Sequence, residues 1–214
     1  MGATHHNQSQ AKPRLSLIQR CNLYSLTQPS GNHRVCLRHA SSQFTYIEAA
    51  LAGAIAVCPN IDPPKCVEAL ERPRNWIYHR HFLVELKARL RRKAALFPGK
   101  WDLKDLNRTN RMSEFDHRYT APDGGYASGA DYYNRVGACH VVESIAVPTL
   151  IITAQDDPFI PYPMFTVPPI QRNSRIRVIA PRYGGHCGFL QWASNGEDHF
   201  WAENRVLDFL QERK

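Results

Sequence analysis

Apolar and polar residues along this chain of 214 residues fall into two patterns. The first is a set of short apolar runs closed by turn residues. Gly53 to Pro59, Gly-Ala-Ile-Ala-Val-Cys-Pro, is small and apolar on both faces and ends in proline, which predicts a buried strand. Val147 to Thr153 has the same character, with Pro148 at its entry. Residues 175–180, Arg-Ile-Arg-Val-Ile-Ala, alternate charged and apolar positions, which predicts a strand with one face more exposed. The second pattern is helical. Phe44 to Leu51 is a short helix-like piece, and Pro63-Pro64 opens a helix running from Lys65 to Glu71. Residues 74–97 form the longest helical stretch. There Trp76, Ile77, His81, Leu83, Val84, Leu86, Leu90 and Ala94 recur at broadly helical spacing against Lys87, Arg89, Arg91, Arg92 and Lys93, and Pro98-Gly99 stops the helix. Ser113 to Asp116 begins another piece, Ala121 to Gly125 is a turn, and Ala130 to Val136 is a helix. Asn195 reads as an N-cap with Asp198 three residues on, leading a final helix with Phe200, Trp201, Val206, Leu207 and Leu210. Strands alternating with helices predict a parallel α/β sheet, and no internal repeat is present.

Composition adds a boundary. At 43% hydrophobic and 10% aromatic residues the chain can build a core, and at 21% charged it is not a disordered polyion. The net charge of +8 is unevenly spread. Residues 1–43 hold Lys12, Arg14, Arg20, Arg34 and Arg38 with no acid, and a second basic concentration lies in residues 72–100. We therefore expect two regions. Residues 1–43 form a basic segment, either a disordered, non-homologous tail or an Arg- and Ser-bearing presequence; residues 44–214 form the folded part. No zinc-finger, homeodomain or RNA-binding signature accompanies the charge, so a solvated basic surface is expected and nucleic acid is not an expected partner. No stretch approaches the ~20 apolar residues of a membrane-spanning helix, and residues 1–25 lack the apolar region of a signal peptide. The six cysteines, Cys21, Cys36, Cys58, Cys66, Cys139 and Cys187, include no CxxC pair. They are expected to be reduced, in a cytoplasmic protein, with neither a disulfide framework nor a zinc site. His79 and His81 point two ways from a helix, His5-His6 has no third partner, and no metal or cofactor is expected.

The candidate chemistry lies beyond the last two predicted strands. Ile151-Ile152-Thr153-Ala154-Gln155-Asp156-Asp157-Pro158 ends an apolar strand in carboxylates, and Gly184-Gly185-His186-Cys187-Gly188-Phe189 follows the next strand. In a parallel sheet, reacting groups belong on loops past the carboxyl ends of strands. An acid followed by a histidine, each on such a loop, has the order of the acid and base of a Ser-His-Asp site, where the carboxylate fixes the tautomer of the imidazole that takes the serine proton. Glycines flanking His186 permit positive φ and close approach. Each piece alone could be a turn. A Cys-His reading of Cys187 with His186 is set aside, because adjacent residues do not readily face one substrate. No Gly-x-Ser-x-Gly nucleophile elbow occurs in the sequence; Gly125-Tyr-Ala-Ser-Gly129 has the wrong spacing, and Ser41 and Ser42 lack glycine flanks.

Taken together, these residues resemble the YheT-like branch of the α/β-hydrolases, the AB hydrolase 4 family. The resemblance is carried by Asp116, Gly125-Tyr126, Asp131-Tyr132-Tyr133, Ile145, Pro148, Leu150, Ile152, Asp156-Asp157 and the Gly-Gly-His-x-Gly-Phe of 184–189. Gly137 departs from the Ser or Thr usual there, and the match covers about residues 44–214. It implies a partial α/β-hydrolase fold: the C-terminal part of the domain, with a parallel sheet remnant of about three strands, flanking helices and a helical cap-like insertion. It further implies a serine hydrolase of carboxylic esters, lipid or acylglycerol esters among them, with Asp157 as the acid, Asp156 as the alternative acid and His186 as the base. The elbow serine and its oxyanion-hole N–H would be absent from the chain. The alternative is a catalytically inactive, truncated fragment or a binding protein, able to self-associate through an exposed sheet edge.

Overall fold

A computed structural model describes residues 18–19, 22–27, 51–194 and 196–212. Its centre is a sheet in the order β1-β2-β3-β4-β5. The strands are β1 (Ile18–Gln19), β2 (Asn22–Thr27), β3 (Leu51–Val57), β4 (Thr149–Ile152) and β5 (Ile176–Ile179). The three expected strands are all present and parallel, with Ile55 opposite Leu150 and Leu150 opposite Arg177. Two further strands extend the sheet. β2 lies antiparallel on the free edge of β3, a pairing that runs across the boundary expected near residue 43, and β1 pairs in turn with β2. The helix-like reading of residues 44–51 falls outside the described residues, except that Leu51 opens β3.

Apolar burial holds this sheet. Thr149 to Ile152 are all buried, and Ile55, Ala56 and Val57 of β3 pack beside them. Full burial of each large aliphatic side chain contributes on the order of 1.5–3 kcal/mol. On the faces sit α1 (Pro63–Leu70) and α7 (Trp201–Gln211). The N-terminus of α1 is set by Asp62, whose side chain accepts from the Lys65 N–H, and by the two prolines that follow. Phe209 of α7 is 1% exposed. It can approach β3 because residue 53 is glycine: a Cβ there would meet the Phe209 ring at 3.3 Å and the Pro148 carbonyl at 3.1 Å. α7 begins at Trp201 without a side-chain cap, later than the cap expected at Asn195, which itself lies outside the described residues. Before it, Leu190 bridges Phe200 and Ser194 bridges Glu197, both antiparallel.

Between β3 and β4 the chain makes a helical insertion. It comprises α2 (Trp76–Leu96), α3 (Met112–Phe115), a π-turn over Asp116–Thr120, α4 (Ala121–Asp123) and α5 (Gly129–Val136). A second, smaller core forms here from Leu83, Leu90, Leu106, Phe115 and Tyr119. The amphipathic reading of α2 needs correction. Only Leu83 and Leu90 of α2 are buried, while Trp76, Ile77 and Val84 are more than half exposed. The reason is that the second core covers only a narrow strip of the helix. Some of the basic residues do more than face solvent: Lys93 reaches Asp123 at 3.1 Å and ties α2 to α4, and Lys100, in the turn after α2, reaches the same carboxylate at 2.7 Å. The family-like positions Asp116 and Tyr133 meet inside the insertion, where the Tyr133 hydroxyl donates to Asp116 Oδ2 at 2.7 Å and the Thr120 hydroxyl to Oδ1 at 2.6 Å. Burial raises the pKa of Asp116 despite those two donors. Last, α6 (Pro168–Arg172) bridges β4 and β5.

Candidate active site

Three loops leave the carboxyl ends of β3, β4 and β5 on the same edge of the sheet. Cys58 opens the first, held by its N–H to the Ile152 carbonyl at 2.7 Å. Asp156 and Asp157 lie on the second, and His186 on the third. The Gln155 N–H bonds the Pro181 carbonyl at 3.0 Å and fastens the second loop to the third.

Asp157 and His186 are brought together. The imidazole Nδ1 lies 3.0 Å from Asp157 Oδ2. The other carboxylate oxygen, Oδ1, accepts the N–H groups of Phe159 at 2.8 Å and Ile160 at 3.0 Å. The Asp157 side chain is wholly buried, while that of His186 keeps 35% of its surface open. Such a carboxylate is fixed in place and aims one lone pair at the ring, and an Nδ1–H donating to it leaves Nε2 as the acceptor. The pKa of His186 is raised, first by the hydrogen bond to Asp157 and further by that carboxylate's charge, against the opposing effect of partial burial. The Phe159 ring stands edge-on to the imidazole with centroids 5.1 Å apart.

Asp156, the alternative acid, takes a different place. Its Oδ1 accepts the Gly185 N–H at 2.8 Å, so it holds the histidine loop by its backbone while Asp157 holds the ring. The glycines act as expected at two positions. Gly185 has φ +53°, and a Cβ on Gly184 would sit 2.6 Å from the Phe189 ring. The second positive φ of the loop, +64°, belongs to Cys187 and not to Gly188.

Several neighbours carry weight that the sequence did not reveal. Asn75 is buried and donates from Nδ2 to both the Ala69 and Pro158 carbonyls at 2.8 Å, pinning the residue after Asp157 to the end of α1. Cys58 Sγ approaches His186 and Cys187, with ligand atoms of the three residues all within 4.8 Å of one another. The Cys58 thiol is held well above the usual thiol range, mainly by its hydrogen bond with the Cys187 side chain and then by burial. Separations of well over a hundred residues hid this grouping. One signal could have found Cys58: it is the last residue of its strand run, at the sheet edge where chemistry collects. His79 and His81 do not converge on a common point; His79 accepts the Met112 N–H at 3.1 Å and His81 is exposed. His5 and His6 lie outside the described residues.

No model of a known protein family matches the chain. Individual relatives do. YheT of Escherichia coli (strain K12), which carries an inferred esterase designation, is 32% identical over 189 residues, covering 87% of this chain and 53% of YheT. A cyanobacterial protein with the same kind of designation, slr0264 of Synechocystis sp. (strain ATCC 27184 / PCC 6803 / Kazusa), is 32% identical across 76% of this chain and 46% of its own length. Phospholipase ABHD3 of Mus musculus is 31% identical over 127 residues, 59% of this chain and 31% of ABHD3. The chain thus spans about half the length, or less, of these relatives.

Proposed function

The chain belongs to the YheT-like α/β-hydrolases, with a partial form of that fold, and on that premise we propose that Asp157 and His186 are the acid and base of a Ser-His-Asp ester hydrolase. The observation that carries this reading is the 3.0 Å contact between His186 Nδ1 and a fully buried Asp157 carboxylate, beside an imidazole still open on its other side. In that arrangement His186 Nε2 takes the proton of an attacking serine and returns it to the leaving alkoxide, while Asp157 stabilises the imidazolium. The esterase and phospholipase names of the relatives support carboxylic esters, lipid esters included, as the substrate class. A cytoplasmic location belongs to the same proposal and rests on the free cysteines Cys58, Cys66 and Cys139; no described helix is long and apolar enough to cross a membrane.

The sequence holds no Gly-x-Ser-x-Gly, which favours a second reading of the chain by itself: an acid–base pair without its nucleophile, inactive as an esterase. The two parts are tested separately. The purified chain is assayed with p-nitrophenyl esters and a fluorophosphonate probe; turnover that disappears in His186→Ala, together with labelling, refutes the missing nucleophile. A longer chain joined upstream of residue 44 to a segment carrying the elbow is then expected to hydrolyse esters and to lose that activity in Asp157→Asn and in His186→Ala. Full activity in Asp157→Asn overturns the acid assignment.

A further inference from the structure

The grouping of Cys58, His186 and Cys187 has a chemistry of its own. Cys58 is buried at the end of β3, and Cys187 and His186 are exposed on the loop after β5. Both cysteines sit at positive φ, +46° for Cys58 and +64° for Cys187. L-residues other than Asn, Asp and His seldom adopt that region, so both thiols are held in place by unusual backbone. One ligand atom from each of the three residues lies within 4.8 Å of the others. In a tetrahedral zinc site with Zn–S bonds of about 2.3 Å, two sulfurs stand about 3.8 Å apart, so a small shift of side chains closes this triangle on one ion.

We propose that Cys58, His186 and Cys187 form a three-ligand site for a thiophilic divalent ion, zinc by its ligand set, with the fourth position open to water. Two thiolates and one imidazole suit zinc over calcium or magnesium, which demand oxygen. Asp157 completes the arrangement. It occupies Nδ1 of His186 at 3.0 Å, which leaves Nε2 for the metal and gives the carboxylate–histidine–metal relay that fixes ring orientation and raises ligand basicity. The two thiols lose their protons to solvent as the metal–sulfur bonds form. Placing two thiolates side by side is unfavourable without a cation, and the divalent charge reverses that repulsion. Nε2 cannot hold a metal and accept a serine proton at once, so the bound and unbound forms of this site are alternative states of His186. The metal site needs no esterase activity, and its failure would leave the acid–base reading untouched.

The test uses the full chain, reduced with a phosphine and freed of metal. Zinc is added and its stoichiometry measured by competition with a chromophoric chelator, and cobalt(II) is added in parallel to read thiolate-to-metal charge transfer. One equivalent of zinc and a charge-transfer band are expected. Cys187→Ser, a change at an exposed position, and Cys58→Ser should each remove most of the band and the tight equivalent; Asp157→Asn should weaken zinc binding by about 10–100-fold with the band retained. Circular dichroism of each variant separates ligand loss from unfolding, and Cys187→Ser carries the test if the buried Cys58→Ser does not fold. The site is refuted by a reduced wild-type chain that retains no zinc, by cobalt binding without a thiolate band, or by tight binding that survives Cys187→Ser through the remaining cysteines or His5-His6.

Discussion

Replacing Asp157 with asparagine changes one charge and almost no volume, and its consequences can be worked from the geometry. Asparagine Oδ1 can still accept the Phe159 and Ile160 N–H groups, which asks nothing new of the loop. What turns toward His186 Nδ1 is then an amide donor in place of Oδ2. That donor requires an unprotonated Nδ1, so the ring's proton moves to Nε2 and the imidazolium meets a donor in place of a carboxylate. A hydrogen bond to a charged group contributes about 1.5–3 kcal/mol. With a third of the ring in solvent the effective value is screened to about 1 kcal/mol. The wild-type His186 pKa is raised above the ordinary 6.5; in Asp157→Asn it is expected to fall to or below that value. The linkage sign follows. A raised folded-state histidine pKa gives stability that is fully present below the unfolded value and lost as pH rises through the folded value. The penalty of Asp157→Asn should therefore be about 1 kcal/mol larger near pH 5 than near pH 9. Ring-proton NMR titration of His186 and urea unfolding at the two pH values read both quantities. An unchanged or higher His186 pKa in the variant, or a penalty independent of pH, would refute the argument that the buried carboxylate holds the imidazole.

Other outcomes follow from the same structure. Asn75→Ala leaves the Ala69 and Pro158 carbonyls without their side-chain donor, with a stability loss of about 1–3 kcal/mol and faster amide exchange in the loop after Asp157; a loss below about 0.5 kcal/mol by urea unfolding removes Asn75 from that role. Gly184→Ala drives a methyl to 2.6 Å from the buried Phe189 ring, costing about 1–3 kcal/mol and displacing the His186 ring resonances; an unaltered melting temperature contradicts this close packing. Tyr133→Phe takes one donor from Asp116 Oδ2 and raises further a carboxyl pKa already raised by burial. Since a raised carboxyl pKa means stability lost as pH climbs through it, the Tyr133→Phe penalty should grow between about pH 4 and about pH 7, and a flat difference in unfolding free energy across that range counts against it.

Much of the fold was legible in the sequence for local reasons. Gly-Ala-Ile-Ala-Val-Cys-Pro and Val147 to Thr153 are short apolar runs, and a backbone buried on both faces leaves such runs few conformations besides a central strand; the 175–180 alternation instead marks β5, the half-exposed strand at the sheet's edge. The Pro63-Pro64 start of α1 and the glycine loop around His186 carried backbone geometry in their residue types. α2 was legible as a helix and not as a surface. Its periodicity shows where apolar groups point, but the second core buries only Leu83 and Leu90 of the helix, with Leu86 partly covered, and nothing local in the sequence reports how wide a neighbouring core will be.

The sequence by itself determined the three parallel strands, the order of the Asp156-Asp157 carboxylates and His186 on successive strand-end loops, and the likeness of its motifs to the YheT-like hydrolases, because strand periodicity, turn chemistry and motif spacing are properties of neighbouring residues. The resemblance put Asp157 ahead of Asp156, and tertiary structure decided which of the two adjacent carboxylates reaches the imidazole. Consecutive residues of a turn point in different directions, and only the register of the β4 and β5 loops sends Asp157 to the His186 ring and Asp156 to the Gly185 N–H. The same loops bring Cys58 to Cys187 and Asn75 to the Pro158 carbonyl. Those meetings depend on parallel strands ending at one edge of the sheet, a relation between distant segments that no local pattern records.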